Sequence, residues 1–317
     1  MSDDLPTTFE ARNRLRSIVN RTQELTPLRA VASKAIQMAE DERSAAMDLA
    51  TVLSSDQALT ARLLRLSNSA YYGYARRISN VREAVVLLGM RTVRSVAITS
   101  GIIEALKPPA VGAFSQDLFW AHSVCVGLSA ETLAREYRTA RPDDAFTAGV
   151  LHDLGKLAMM LVEPGSFAEV LHLVEHQDAT FRQAELAVFG VGHEQVGARL
   201  AERWKFPALL VDAIAAHHPD VLPERPASVG DIVAIANFAC DGAGLACGYD
   251  RTDGGGREAP ALPGRTGEAL DRVGGLRVIE GRARAFLLHV TDRPPRWYET
   301  SRNDDDDQEV APVRNVA

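Results

Sequence analysis

The sequence predicts an all-α protein, and three observations support this fold class. Apolar residues recur at helical spacing along most of the 317 residues, and no stretch alternates with period two for long enough to form a strand. Proline, glycine or a helix-capping residue stands near each break, as at Pro142, Gly190 and Pro207. Hydrophobic residues make up 46% of the chain, which is enough for a sizeable core. We therefore expect a multi-helical bundle.

The first part of the chain predicts a loosely ordered N-terminus followed by a helical half. Residues 1–23 are polar, although a short helix over residues 9–19 fits the pattern. Order is expected to begin at Thr26-Pro27, because threonine caps helices and proline is favoured in the first turn. Residues 24–108 then read as helices throughout, and this half carries no recognisable catalytic chemistry.

Two features of this half have alternative interpretations. The loop Ser67–Tyr74 holds three tyrosines, which could recognise a ligand or fill the joint between two helical halves. Five arginines could meet a phosphate or an acidic partner, or form a solvated helix face. They are Arg76, Arg77, Arg82, Arg91 and Arg94.

The second half, residues 117–240, is predicted to be helical as well, with one apolar helix running from Pro142 to Leu161. Residues 241–300 form a glycine- and proline-rich insertion that ends in two weaker helices, near residues 268–273 and 279–290. Residues 301–317 contain four consecutive aspartates and predict a disordered or interacting acidic tail.

Composition narrows the functional classes. The net charge of −7 argues against broad binding to nucleic acid or to acidic membranes. Three cysteines without a CxxC spacing indicate a reducing compartment and buried thiols. The N-terminus lacks a secretory signal, and no uninterrupted apolar run reaches the roughly 20 residues that span a bilayer. We therefore expect a soluble, cytoplasmic protein.

The apolar helix from Pro142 to Leu161 contains an adjacent His152-Asp153 pair, and more histidines follow in the same half of the chain. Imidazole and carboxylate groups together suit Zn, Fe, Mn and related divalent metals, and a metal so held could activate water toward a phosphate ester. Hydrogen bonding within a core is the alternative. The candidate donors are His122, His152, Asp153, His193, His217 and His218. His172 and His176 are four residues apart on an amphipathic helix, and we interpret them as a solvated surface pair.

Six ordered segments between Glu24 and Ala239 carry a family resemblance. They are LTPLRAVASKAIQMAED, LATVLSSDQALTARLLRLSNSAYYG, ISNVREAVVLLGMRTVRSVAI, WAHSVCVGLSAETLA, AFTAGVLHDLGKL and GHEQVGARLAERWKFPALLVDAIAAHH. The chain resembles the HDOD family, the HD-related output domain of bacterial signalling proteins, which is related to the HD and HD-GYP phosphohydrolases. The resemblance implies an N-terminal helical subdomain packed on an HD-like half and a mainly regulatory role.

The resemblance also implies a set of metal positions. They fall on His122, His152, Asp153, His193 and His217 or His218, and the final HD-type aspartate falls on Asn237. A neutral asparagine oxygen removes one charge from such a site and weakens any metal. The GYP signature of the cyclic di-GMP phosphodiesterases is absent.

Two functional hypotheses follow. The first is a non-catalytic signalling module that acts on protein partners and keeps part of an HD-type metal site, holding Fe, Mn, Zn or Mg. The alternative is a metal-dependent phosphohydrolase acting on a nucleotide or cyclic nucleotide, in which Asp153 and Lys156 would be catalytic. Lys156 could instead pair with Asp153 three residues earlier. A nucleotide second messenger is a further candidate ligand.

Overall fold

The computed structural model describes residues 8–26, 30–37, 45–69, 76–177, 179–245 and 261–290. Within these ranges the chain forms sixteen α-helices and no strand, which confirms the all-α fold class. The helices are α1 (Phe9–Leu25), α2 (Ala30–Gln37), α3 (Ala45–Ser54), α4 (Gln57–Ser67), α5 (Val81–Leu88), α6 (Met90–Ala105), α7 (Gln116–Tyr137), α8 (Pro142–Leu151), α9 (Leu154–Val162), α10 (Pro164–His176), α11 (Phe181–Phe189), α12 (His193–Arg203), α13 (Ala208–Ala215), α14 (Val229–Gly242), α15 (Thr266–Arg272) and α16 (Gly275–Val290).

The N-terminal residues are more ordered than their polar composition suggested. Helix α1 buries one stripe of residues, among them Leu15, Ile18 and Val19, and this stripe packs on α9 and α12. The Arg14 guanidinium also joins α1 to α11, because it donates to the carbonyl of Val188 at 2.8 Å. The short helix expected over residues 9–19 is present and extends to Leu25, because a narrow apolar stripe outweighs a polar average.

The N-terminal half, α2 to α6, packs on the HD-like half through α6 and α8. Two hydroxyl contacts mark this joint: Thr147 donates to Ser95 at 2.7 Å, and Thr92 donates to Asp143 at 3.1 Å. Small hydroxyl residues satisfy each other here and allow the two helices to lie close together. The predicted arrangement of a helical subdomain on an HD-like half is thus present.

The centre of the HD-like half is α7, a long helix that is buried over most of its length and packs against α8, α14 and α16. Helix α16 also contacts α4, and its Phe286 ring meets Phe146 of α8 edge-on at 5.7 Å. The segment expected to dock back on the core does so. Residues 246–260 of the glycine-rich insertion and residues 291–317, which include the acidic tail, lie outside the described residues, as do residues 1–7.

One long apolar segment among the described residues lies inside the fold. The segment Pro142–Val162 has the length and composition of a membrane span, but 94% of its most apolar window is buried within the protein. Its apolar side chains therefore already have partners in the core. Cys125 and Cys240 are buried free thiols, as expected, whereas Cys247 lies outside the described residues.

Candidate metal centre

The predicted single helix from Pro142 to Leu161 is in fact two helices, because the chain turns at His152-Asp153 between α8 and α9. Asp153 has φ −95° and ψ 7°, and its carbonyl accepts a tight-turn hydrogen bond from the amide of Lys156 at 2.9 Å. The turn is buried. The helical spacing of apolar residues could not reveal this break, because that spacing continues through both helices and both turn their apolar residues toward the core.

Glycines let the helices around this turn approach unusually closely. A Cβ atom at Gly155 would lie 2.0 Å from the carbonyl oxygen of His193, so any other residue would push α9 and α12 apart. A Cβ atom at Gly149 would lie 2.7 Å from the Cα of Gly127, where α8 crosses α7. The glycine in the HDLGK stretch therefore brings the His193 segment next to Asp153.

A first group of donors has four members, and we call it the closed group: Asp153, His193, His217 and His218. Asp153 Oδ1 lies 3.0 Å from His193 Nε2 and 3.5 Å from His217 Nε2. His193 Nε2 is also 3.1 Å from His217 Nε2 and 3.0 Å from His218 Nε2. Four ligands around one Zn²⁺ at ordinary bond lengths stand about 3.3 Å apart, so the spacing suits a single metal ion.

The hydrogen bonds made by the other ring nitrogens favour a cation in this space. His193 Nδ1 faces the Glu185 carboxylate at 2.6 Å, and His217 Nδ1 faces the carbonyl of Ile214 at 2.7 Å. Both partners only accept, so each neutral ring carries its hydrogen on Nδ1 and presents a lone pair at Nε2. These lone pairs point toward one another and toward Asp153 Oδ1. Such electron-rich atoms repel one another unless a metal ion or a proton lies between them.

A second group has three members, and we call it the open group: His122, His152 and Asp153. His122 Nδ1 faces the carbonyl of Leu245 at 2.8 Å, and His152 Nδ1 faces that of Gly149 at 2.7 Å. Their Nε2 atoms are buried and make no hydrogen bond with any described residue. His152 Nε2 lies 3.3 Å from Asp153 Oδ2, so Asp153 offers one oxygen to each group.

Lys156 lies on the Oδ2 side of Asp153. Its ammonium donates to that oxygen at 2.9 Å and sits 4.7 Å above the centre of the Phe181 ring. The side chain is only 2% exposed, so the ion pair is shielded from water. The i, i+3 pairing expected from the sequence is present, and Lys156 places a fixed positive charge beside the open group.

Burial and neighbouring charges shift the protonation of the centre. Burial would raise the pKa of Asp153, but His152, Lys156 and His193 hold that pKa well below its usual value. Burial lowers the pKa of His217 to about 4 and also lowers that of His218. Burial opposes charge on His193 too, yet Glu185 and Asp153 raise its pKa to about 10. Three of these four side chains thus have the metal-ready form, and His193 must give up a proton to bind.

The place of Asn237 in the centre stays a prediction, because both groups comprise only histidine and acidic donors. This residue lies on α14, is 7% exposed, and its Oδ1 makes no hydrogen bond with the residues that the structure describes. One turn later on the same helix, Asp241 Oδ1 lies 3.7 Å from His122 Nδ1. The Asp241 carboxylate therefore lies near the open group, although the family resemblance did not imply a metal position at this residue.

The structure brings together all the predicted histidines and Asp153, and it adds residues that the sequence did not single out. Glu185 and Glu194 form a third cluster with His193. An acidic residue on an amphipathic helix is normally predicted to face solvent, so the sequence did not indicate that Glu185 and Glu194 would be buried beside His193. The other predicted pair, His172 and His176, is exposed and stacked with ring centres 4.3 Å apart, as expected of a surface pair.

The tyrosine loop and the five arginines of the N-terminal half are distant in sequence from the metal-binding candidates. The structure describes only some of these residues. Residues 70–75 of the tyrosine loop and the side chain of Arg91 are outside the described residues. Arg77 and Arg82 are exposed, and Arg76 is exposed and pairs with Glu83 at 2.7 Å. The surface interpretation fits these three arginines.

Comparison with known proteins supports the same architecture. A protein from Treponema pallidum (strain Nichols), described as an "Uncharacterized protein", is 25% identical over 224 residues, which are 70% of this chain and 43% of the relative. This chain therefore spans less than half the length of that relative. Among solved structures, an HDOD domain protein of unknown function from Geobacter sulfurreducens has a TM-score of 0.67 and 26% identity, covering 87% of this chain and 98% of that one.

A provisionally assigned phosphohydrolase from Shewanella amazonensis SB2B has a TM-score of 0.65 and 24% identity, covering 87% of this chain and 98% of that one. At this identity the likeness shows the fold alone. The HDOD domain matches residues 25–219, a range that includes the closed group and ends before Asn237 and Asp241. That range is well over half of the chain, and the chain therefore belongs to the HDOD family.

Proposed function

We propose that this protein is a signalling domain that holds one divalent metal in the closed group as a structural centre and acts through contacts with other proteins. The observation that carries the proposal is a complete four-donor set, of which three members are buried and His218 is half-buried. Asp153, His193 and His217 are each about 1% exposed. Structural metal sites have all ligands from the protein, whereas catalytic ones keep a position for water or substrate.

The local charge supports one metal ion in preference to two. Asp153 and Glu185 contribute two buried negative charges, and Lys156 contributes one buried positive charge. Glu194 is paired with Arg182, and Asp241 adds a half-buried negative charge beside His122. A single divalent ion changes the sum from −2 to 0, but a second one would bring it to +2 in a largely buried space. Such a charge needs further anions, because burying unpaired charge is costly.

The donor types indicate which metal fits. Three imidazole nitrogens and one carboxylate oxygen suit Zn, Fe or Mn, whereas Mg prefers an all-oxygen octahedral shell. Zn²⁺ is the best match, because it readily accepts four ligands. When bound, the metal would hold α9, α12 and the turn after α13 together, because its ligands come from all three.

A signalling role is supported by the family and by a structural relative. A provisionally assigned signal transduction protein from Marinobacter aquaeolei VT8 has a TM-score of 0.66 and 22% identity to this chain. Because all four donors of the closed group come from the protein, the proposed action of the domain is through protein contacts on its helical surface. The partner in this proposal is another signalling protein.

The second candidate function is metal-dependent hydrolysis of a nucleotide or cyclic nucleotide. The open group favours it, because two buried Nε2 atoms and one carboxylate oxygen form an incomplete ligand set that could keep a place for water. In that reaction Asp153 would link both groups, and Lys156 would stabilise charge on a phosphate. Lys156 would first have to leave its contact with Asp153.

Metal analysis combined with a hydrolysis assay distinguishes the two functions. The full chain is purified without chelator, its metal content is measured, and hydrolysis of bis(p-nitrophenyl) phosphate and of cyclic dinucleotides is followed. The structural proposal expects one metal per chain, a higher melting temperature with metal than without, and no turnover above that of His152→Ala. Two metals per chain with turnover that His152→Ala abolishes would establish the hydrolase instead.

A further inference from the structure

We infer that Glu185 is a positioning residue that sets the metal affinity of the closed group through His193. This inference rests on the proposed metal centre and adds a residue that is not itself a metal ligand. Glu185 lies on α11 and its side chain is fully buried. A buried carboxylate is costly unless it is paired, so its presence beside a ligand calls for a physical role.

The geometry gives Glu185 control over both the backbone and the ring of His193. A single oxygen, Oε2, accepts from the His193 amide at 2.9 Å and from its Nδ1 at 2.6 Å. His193 is the first residue of α12, where helix amides lack partners within the helix. One side chain therefore fixes the start of the helix, the direction of the ring and the nitrogen that carries hydrogen.

His193 differs in this respect from three other histidines of the centre. The Nδ1 atoms of His122, His152 and His217 face backbone carbonyls, which are neutral acceptors. The Nδ1 of His193 faces a carboxylate, which makes the opposite nitrogen a stronger electron-pair donor. His193 Nε2 is also the atom nearest to the other members of the closed group.

The cluster of Glu185, His193 and Glu194 is better explained by this role than by a third metal ion. The 2.6 Å separation of Glu185 Oε2 and His193 Nδ1 is a hydrogen-bond distance, shorter than the spacing of two ligands on one metal. Glu194 Oε2 lies 3.9 Å from the same nitrogen, and Glu194 Oε1 accepts from Arg182 at 3.0 Å. Glu194 thus resembles Glu185 in type and location but is too distant to bond the ring.

The test compares the metal affinities of three variants of the full chain. Zn²⁺ dissociation constants are measured by chelator competition for Glu185→Gln, Glu185→Met and the matched control Glu194→Gln. Loss of a partner of a metal-bound histidine costs about 10–100-fold in affinity. We expect about tenfold for Glu185→Gln, which keeps an acceptor without charge, about 100-fold for Glu185→Met, and less than about twofold for Glu194→Gln.

A spectroscopic readout separates positioning from general stability. The visible spectrum of the Co²⁺-loaded protein reports the ligand field, and we expect it to shift in Glu185→Gln while the melting temperature of the metal-free variant stays near that of wild type. Wild-type affinity and an unchanged Co²⁺ spectrum in Glu185→Gln would overturn the inference and leave the metal centre standing. Failure of the wild-type chain to bind Zn²⁺ would overturn the proposed metal centre and this inference together.

Discussion

The closed and open groups share the Asp153 carboxylate, but different side chains lie next to it in each group. In the closed group, Asp153 Oδ1 lies beside the imidazoles of His193 and His217. In the open group, Asp153 Oδ2 lies beside the His152 imidazole and also accepts from the Lys156 ammonium. A lysine is a permanent cation that a metal must compete with. Two sets of similar ligand types therefore differ in charge balance, because the Lys156 ammonium already neutralises the carboxylate on the side of the open group.

Substitution of the shared residue should have the largest effect. Asp153→Asn removes the charge that both groups use and leaves Lys156 buried without its carboxylate. Breaking a buried ion pair from one side costs roughly 3–5 kcal/mol, so we expect a large fall in the free energy of unfolding and loss of bound metal. Urea unfolding and metal analysis measure the two effects. Wild-type metal content in this variant would show that Asp153 is not a ligand.

The close helix crossing is specific to the closed group and gives the next largest effect. In Gly155→Ala the new methyl would lie 2.0 Å from the His193 carbonyl oxygen, so α9 and α12 must separate. Such overpacking costs about 1–3 kcal/mol, and the shift should also weaken metal binding. Gly165→Ala is the control, because a Cβ atom there meets nothing within 4 Å. Equal stability and affinity in both variants would contradict the role of the crossing.

Single histidine changes separate the two groups directly. His217→Gln removes a ligand of the closed group, and we expect Zn²⁺ affinity to fall at least as far as the 10–100-fold that loss of an outer partner costs. His122→Gln affects only the open group and should leave that affinity nearly unchanged. Titration calorimetry with both variants provides the measurement. The reverse order of the two affinities would assign the metal to the open group.

Acid should weaken the closed group in the metal-free protein. The pKa of His217 is lowered from 6.5 to about 4 by burial, so the folded protein resists a proton that the unfolded chain accepts. This contribution to stability is complete above pH 6.5 and is lost as the pH falls from 6.5 towards 4, by up to about 1.4 kcal/mol per pH unit. Unfolding curves of wild type and His217→Gln should differ in slope over that window. Parallel curves would show that His217 is not buried neutral.

The smallest effect is expected outside both groups. His172→Ala removes one ring of the exposed stacked pair on α10, and it should change neither metal content nor melting temperature measurably. Full-chain metal analysis and thermal unfolding give the comparison. Loss of metal in this variant would mean that a surface pair contributes to binding and that the two buried groups do not account for it.

The sequence was sufficient for the fold class and for the donor types, because helical periodicity and the HDLGK stretch carry that information locally. It did not predict the turn at His152-Asp153, since α8 and α9 both present apolar residues in phase. It also gave no sign of Glu185, whose burial depends on where α11 meets the start of α12. Contacts between distant segments decide these features.

The N-terminal segment is a second case in which contacts between distant segments were not predictable from the sequence. Its average polarity predicted loose structure, yet the stripe that includes Leu15 and Ile18 packs on the helices that hold Asp153 and His193. Asn237 is placed in the centre by resemblance alone and stays a prediction, although its Oδ1 is buried without a hydrogen bond among the described residues. Asp241, one turn later on α14, has its carboxylate near His122, and the sequence did not single it out.

Anomalous diffraction at the absorption edge of the bound metal would locate the proposed metal ion. Crystals of the full chain purified with its own metal would show where that metal lies relative to the two groups. The account predicts one anomalous peak, about 2.0–2.2 Å from Asp153 Oδ1 and from the Nε2 atoms of His193, His217 and His218. A peak bound by His122, His152 and Asp153 Oδ2, with Lys156 displaced, would contradict it.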